Sequence, residues 1–307
     1  MQTLSRAALF AAAAVTAAAL ASGAALAAEQ PKPDGGSAAF VQAYGAPTAQ
    51  LRQIARWNDP VCVQVTGLPA DRAAAIKARV EEVAKGVGLV VAPAGCAPHI
   101  EIAFTLNAQH LIDDVAAKQE ALLGYEHRND KTLRTMSHPI EGRYVTSTMG
   151  DGGNNAGTAF AFTQSRDGQF GLPTQTRERI TDDPALTPPT GCADNRFTHC
   201  LKSVFENVLV VVDLKRAAST NLGVISDYVS MLALSQPRSY ASCAPLPSIT
   251  DLYLDCGRPA QNGLTPADAA YLTALYTSDP EASDVIQPSD IAGRMANILA
   301  GSSVASR

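Results

Sequence analysis

The strongest apolar signal in the chain runs from residue 208 to residue 234. Val208, Leu209, Val210, Val211 and Val212 form an unbroken run that ends at Asp213. A β-branched run of that length predicts a strand buried on both faces. A polar turn of Ser219, Thr220 and Asn221 follows, and residues 224–234 then predict a helix closed by Pro237. Val224, Ile225, Tyr228, Val229, Met231, Leu232 and Leu234 cover most of its circumference. Only Ser226, Ser230 and Ala233 form a thin seam of small residues. A helix apolar nearly all round belongs in a core.

Upstream, residues 57–105 predict a compact βαββ-like unit. Val61, Val63 and Val65 alternate as a strand, and Ala74, Ile76, Val80, Val83 and Ala84 give residues 69–85 a helical stripe that Gly86 and Gly88 end. Residues 89–91 and 100–104 supply two more strands. A helix over 108–123 stops at Gly124. Residues 143–146 and 158–163 have strand character and are expected to pair as a hairpin across the glycine-rich loop 150–157. The stretch 169–190 is turn-rich. Residues 197–213 read as one extended segment, interrupted near Glu206 and Asn207. Everything after Asn221 is helical. Thr265 and Asp268 form a capping box with Pro266 at the first helical position, ahead of a helix over 270–276. A last helix covers 288–299. No internal repeat is present. The predicted class is α+β, a mixed sheet with an amino-terminal βαββ-like unit and a carboxy-terminal helical layer.

The first residues change the domain boundaries. Arg6, the small apolar run 7–21 and the Ala25-Leu26-Ala27 triplet fit a cleaved export signal over 1–27. Residues 28–45 are rich in Pro, Gly, Ser and Ala and are expected to be a disordered lead-in. Residues 46–300 then form a single α+β domain, divisible into sub-units 46–165 and 195–300. The net charge of −5 is mild and no basic patch stands out, which gives no electrostatic case for nucleic acid. No later stretch is long and apolar enough to span a bilayer. The expected location is periplasmic or secreted.

All six cysteines, Cys62, Cys96, Cys192, Cys200, Cys243 and Cys256, fall in the exported part. An even number in an exported chain reads as disulfides. Sequence cannot fix the connectivity, and nearest-neighbour pairing is the expectation: Cys62–Cys96, Cys192–Cys200 and Cys243–Cys256. No metal site is expected, since no Cys-x-x-Cys is present and the adjacent His199 and Cys200 suit one tetrahedral ion poorly.

The search for chemistry yields no catalytic residue and no cofactor. The chain contains no Gly-x-Ser-x-Gly elbow, P-loop or dinucleotide fingerprint. The loop at Asp151, Asn154 and Asn155 lacks the later glutamate of a calcium loop. The histidines are His99, His110, His127, His138 and His199, none of them in a His-Glu-x-x-His pattern. His110 lies near Asp113 and Asp114, where an acid–base or metal role is the alternative to the first reading, a solvated helical turn. Asp227, the one charge on the central helix, either pairs with an arginine or a backbone group or is a perturbed carboxylate in a cleft.

The order of apolar strand, helix 222–232, Leu246-Pro-Ser-Ile-Thr-Asp-Leu252 and Leu264-Thr-Pro-Ala-Asp-Ala-Ala-Tyr-Leu-Thr-Ala-Leu-Tyr276 resembles uncharacterised secreted proteins of alphaproteobacterial type. More remotely it resembles exported, zincin-like metallopeptidases. The match covers roughly residues 201–276. The resemblance implies a zincin-like fold with a metal-bearing helix. Where that helix would carry two histidines and a glutamate, this chain has Ser226 and Ser230 at the i, i+4 spacing and Asp227 between them, so no metal or catalytic residue carries over. Two functions follow. The first is an exported, disulfide-stabilised protein with a structural or binding role, whose partner, protein or small molecule, the sequence does not name. The second is an exported hydrolase, a degenerate zincin-like metallopeptidase. Histidines converging beside a carboxylate would favour the second, and scattered histidines the first.

Overall fold

The computed structural model describes residues 35–124, 134–150 and 200–305. Four strands, β1 (Val63–Thr66), β2 (Ile100–Thr105), β3 (Ile140–Gly150) and β4 (Leu201–Asp213), form one mixed sheet in the order β1-β2-β4-β3. β1, β2 and β4 are parallel, and β3 runs antiparallel to β4. β4 is paired on both sides, as its continuous apolar run requires. Because it joins β2 to β3, the two expected sub-units share one sheet.

Among the described residues six α-helices accompany the sheet: α1 (Gly35–Tyr44), α2 (Ala70–Gly86), α3 (Ala108–Gln119), α4 (Leu222–Leu234), α5 (Pro266–Thr277) and α6 (Gln287–Ala305). α2 crosses between β1 and β2, burying Ile76, Val80 and Ala84. The turn into it needs Gly67, at φ 82°, because a Cβ there would collide with the Phe104 carbonyl. The main core holds Ile100, Ile102, Val208, Val210 and Val212 from one face of the sheet, with α2, α4, α5, α6 and α1 on that side. A smaller cluster holds Ala103, Val145, Leu209 and Val211 from the other face, under α3 and the 3-10 turn Glu120–Leu123. The α+β class with carboxy-terminal helices holds, and α3 adds a layer on the opposite face.

Three expectations need correction. The lead-in is not disordered throughout, since Gly35–Tyr44 is helix. Its Phe40, Val41 and Tyr44 lie along one side and are buried, with Phe40 and Tyr44 both packed on Tyr271. The Gly, Ser and Ala content of the stretch masks that apolar triplet. The βαββ-like unit is βαβ, because residues 89–91 make only an isolated bridge, Val61 to Val91. β3 is also longer than the 143–146 expected. The expected hairpin partner 158–163 lies outside the described residues, and the observed neighbour of β3 is β4.

The expected interruption of the last strand falls where it was placed. Val145 pairs with Asn207 and Thr146 with Phe205, so Glu206 is the extra residue of a β-bulge. Cys62–Cys96 and Cys243–Cys256 are disulfides as expected. Cys200 is also disulfide-bonded. Cys192, its expected partner, lies outside the described residues.

Candidate functional site

α4 packs as its apolar circumference requires. Val229, Met231, Leu232, Ala233 and Leu234 are fully buried. Asn221 caps its start, accepting a hydrogen bond from Gly223 N at 2.7 Å. Along the small seam, Ser226 Oγ donates to the Leu222 carbonyl and Ser230 Oγ to the Ser226 carbonyl, at 2.8 and 2.6 Å. Both hydroxyls are thus satisfied within their own helix.

Asp227 leaves α4 beside that seam. Its Oδ1 accepts from Arg79 Nε on α2 at 2.6 Å, and its Oδ2 accepts from Leu264 N at 3.0 Å. The pairing with an arginine and a backbone group is the one the sequence offered as the plainer reading. Arg79 NH1 also donates to Glu82 at 2.8 Å, and these two carboxylates hold the guanidinium above its ordinary pKa. Gly263 permits the close approach, because a Cβ there would lie 2.6 Å from Asp227 Oδ2.

The clasp sits in an open groove of about 690 Å³ between α2 and the first turn of α4. Ala75, Leu222 and Val224 give it apolar surface. Asn221, Asn262, Arg79 and Asp227 give it polar surface. The volume lies in the range of small-molecule sites, which combine apolar lining with a few fixed polar groups. Sequence reasoning found Asp227 and missed Arg79, Asn262 and the groove itself. They are contributed by segments far apart in the chain, and no local pattern marks them.

The wall bearing Asn262 and Leu264 is fastened by segments 246–252 and 264–276. Thr265 Oγ1 accepts from Asp268 N at 3.1 Å, and Asp268 Oδ2 accepts from Thr265 N at 2.9 Å, completing the predicted capping box. Ser248 Oγ and Ile249 N also donate to the Asp268 carboxylate, at 2.6 and 2.8 Å. Burial raises the Asp268 pKa, opposed by these hydrogen bonds. A second box links Ser248 and Asp251, and Asp251 also pairs with Arg258. Both motif aspartates therefore fasten the backbone around α5.

The described histidines occupy three separate settings. His110 is exposed on α3, 3.4 Å from Asp114. His99 packs on Trp57 with the rings tilted by 49°, accepts from Cys62 N at 3.3 Å, and burial lowers its pKa. His138 lies next to Ser137 and Glu141, where Ser137 Oγ is 2.9 Å from His138 Nδ1 and donates to Glu141 Oε1 at 2.7 Å. Ser137 Oγ thus lies between the Glu141 carboxylate, to which it donates, and His138 Nδ1, whose role in the contact depends on the tautomer. The Glu141 carboxylate is further held by His138 N and by the buried Arg143. This constellation fixes the turn into β3. His127 and His199 lie outside the described residues, as do Asp151, Asn154 and Asn155.

The metal that a zincin-like helix would carry does not fit the residues of α4. The i, i+4 positions hold hydroxyls committed to backbone carbonyls, and the carboxylate between them is held by Arg79 and Leu264 N. Cys243, Cys256 and Asp251 converge within 4.8 Å, but both sulfurs are spent in their disulfide. Among the described residues no helix is long and apolar enough to cross a membrane. Comparison with protein-family models, with curated proteins and with solved structures finds no match.

Proposed function

We propose that this protein is an exported binding protein and that the groove between α2 and α4 takes a small, polar, uncharged ligand. The observation that carries the reading is the pre-set polar floor. Arg79 and Asp227 are locked to each other at 2.6 Å inside a groove of about 690 Å³. A ligand can therefore hydrogen-bond to fixed partners without first ordering them. Arg79 is already shared between Asp227 and Glu82 and offers no free cation to an anionic ligand, which favours a hydroxyl- or amide-bearing one. The amides of Asn221 and Asn262 add donors and acceptors at the rim. The signal-like pattern of residues 1–27 and the disulfide pairs support action outside the cytoplasm.

The reading is tested by equilibrating the purified, oxidised protein with a low-molecular-weight extract of bacterial culture and identifying retained compounds by mass spectrometry. Ala75→Trp fills the groove from an exposed position and serves as the comparison. A compound retained by the wild type and lost from Ala75→Trp is expected. Retention of nothing, or equal retention by both proteins, would remove the groove from consideration.

A further inference from the structure

Asn207 on β4 and Gln119 at the end of α3 are both buried, and in each neither the side-chain oxygen nor the nitrogen has a hydrogen-bond partner within the protein. Such groups are rare in folded proteins and costly to keep closed away from water. The two amides border the same patch of core. Asn207 pairs with Val145 and shares a strand face with Leu209, two residues on. Val145 and Leu209 belong to the smaller apolar cluster. Gln119 continues the buried stripe Ala108, Ile112 and Val115 of α3 and precedes Leu122 and Leu123, all five in that same cluster.

We propose that α3 and the 3-10 turn after it, residues 108–123, form a cover that opens as a unit from the sheet while the main core stays folded. Opening lets water satisfy both amides, so part of the cost of separating the apolar surfaces is returned. The apolar part of its attachment is a cluster distinct from the one that joins α2, α4, α5 and α6 to the opposite face, and the polar part lies at the surface, where Gln109 bonds Arg134 O and Met136 N and Glu120 pairs with Arg134. Its ends suit a hinge. Asn107 provides no side-chain cap at the start, and the turn closes at Gly124 with φ 103°. Elements with small apolar attachments and unpaired buried groups are drawn from the low-stability end of a structure. Opening uncovers a strip of Val211, Leu209 and Asn207 on β4 beside Ala103 on β2, apolar with an amide at one end.

The test is native-state hydrogen exchange by mass spectrometry on the oxidised full chain, at several denaturant concentrations below the unfolding transition. The amides of α3 are expected to exchange at least about tenfold faster than those of α4, with a weaker dependence on denaturant. Gln119→Leu, which removes one orphaned amide, is expected to slow exchange of α3 by about tenfold and leave α4 unchanged. Asn207→Leu should do the same, and Gln119→Leu decides the matter alone where Asn207→Leu fails to fold. Exchange of α3 and α4 at one rate with one denaturant dependence would overturn the proposal. So would a Gln119→Leu variant in which α3 exchange is unaltered or slows only in step with α4.

Discussion

Arg79 on α2 meets Asp227 on α4 at 2.6 Å, and the other oxygen of the same carboxylate holds Leu264 N at 3.0 Å. One side chain thus joins α2, α4 and the segment leading into α5. Asp227 is the less exposed partner, its side chain 14% accessible against 36% for Arg79. Solvent screening at Arg79 limits the pair to about 1 kcal/mol of coupling. A double-mutant cycle of Arg79→Met and Asp227→Asn, read by denaturant unfolding, should return that order of coupling. Asp227→Asn alone should keep the Leu264 contact through its amide oxygen.

Gly263 is the weak point of the same junction. Gly263→Ala would bring a methyl group to 2.6 Å from Asp227 Oδ2, too close to be accommodated without displacing the carboxylate or the loop. Destabilisation by about 1–3 kcal/mol is expected, as for overpacked sites. If Gly263→Ala unfolds at the wild-type denaturant midpoint, the junction is looser than described.

Leu232 is fully buried in the main core. Leu232→Ala should cost about 2–5 kcal/mol. Ser230→Ala should cost within about 1 kcal/mol, because the Ser226 carbonyl that loses the hydroxyl keeps its helical N–H partner. Equal effects of the two substitutions on the unfolding midpoint would contradict the packing of α4.

The Cys243–Cys256 disulfide encloses the Ser248–Asp251 box, whose Asp251 also pairs with Arg258 beyond the bridge. Replacing both cysteines by serine should lower stability by about 2–3 kcal/mol through the freed loop. Peptide mapping without reduction should recover Cys62 joined to Cys96 and Cys243 joined to Cys256. Any other partner for Cys243 would refute the pairing.

Glu101 sits half-buried on β2, and burial raises its pKa. A carboxylate with a raised folded-state pKa binds its proton more tightly in the folded chain. Its contribution to stability therefore falls as pH rises from the ordinary glutamate range through the raised value, and is constant above it. Glu101→Gln should be more stable than wild type at neutral pH, with the difference vanishing in acid. A difference independent of pH, measured by thermal unfolding across pH 3–8, would contradict the sign.

The elements visible in the sequence were those governed by local pattern. β4 shows in Val208 to Val212, α4 in the polar turn before it and its apolar circumference, and α5 in the Thr265–Asp268 box. The interruption at Glu206 was also legible, since a Glu-Asn pair breaks the apolar run. α1 was hidden because its buried triplet lies in a Gly- and Ala-rich stretch whose partner, Tyr271, is more than two hundred residues away. Residues 89–91 read as a strand because propensity describes the segment and not its neighbours; only Val91 finds a bridge. The groove was illegible for the same reason as α1. Asp227 is a lone charge on a core helix until α2 brings Arg79 beside it.

The central claim is that α4 is a packed wall of a binding groove and not a metal-bearing helix. Its two seam positions are Ser226 and Ser230, both bonded to their own backbone, and its carboxylate is clasped by Arg79. The most direct measurement is the zinc content of the purified, oxidised protein by elemental analysis, before and after equilibration with equimolar zinc and gel filtration. Substoichiometric zinc in both samples is predicted. One equivalent of zinc retained through gel filtration by the wild type, and lost from Asp227→Asn, would contradict the account and make metal-assisted hydrolysis the first hypothesis.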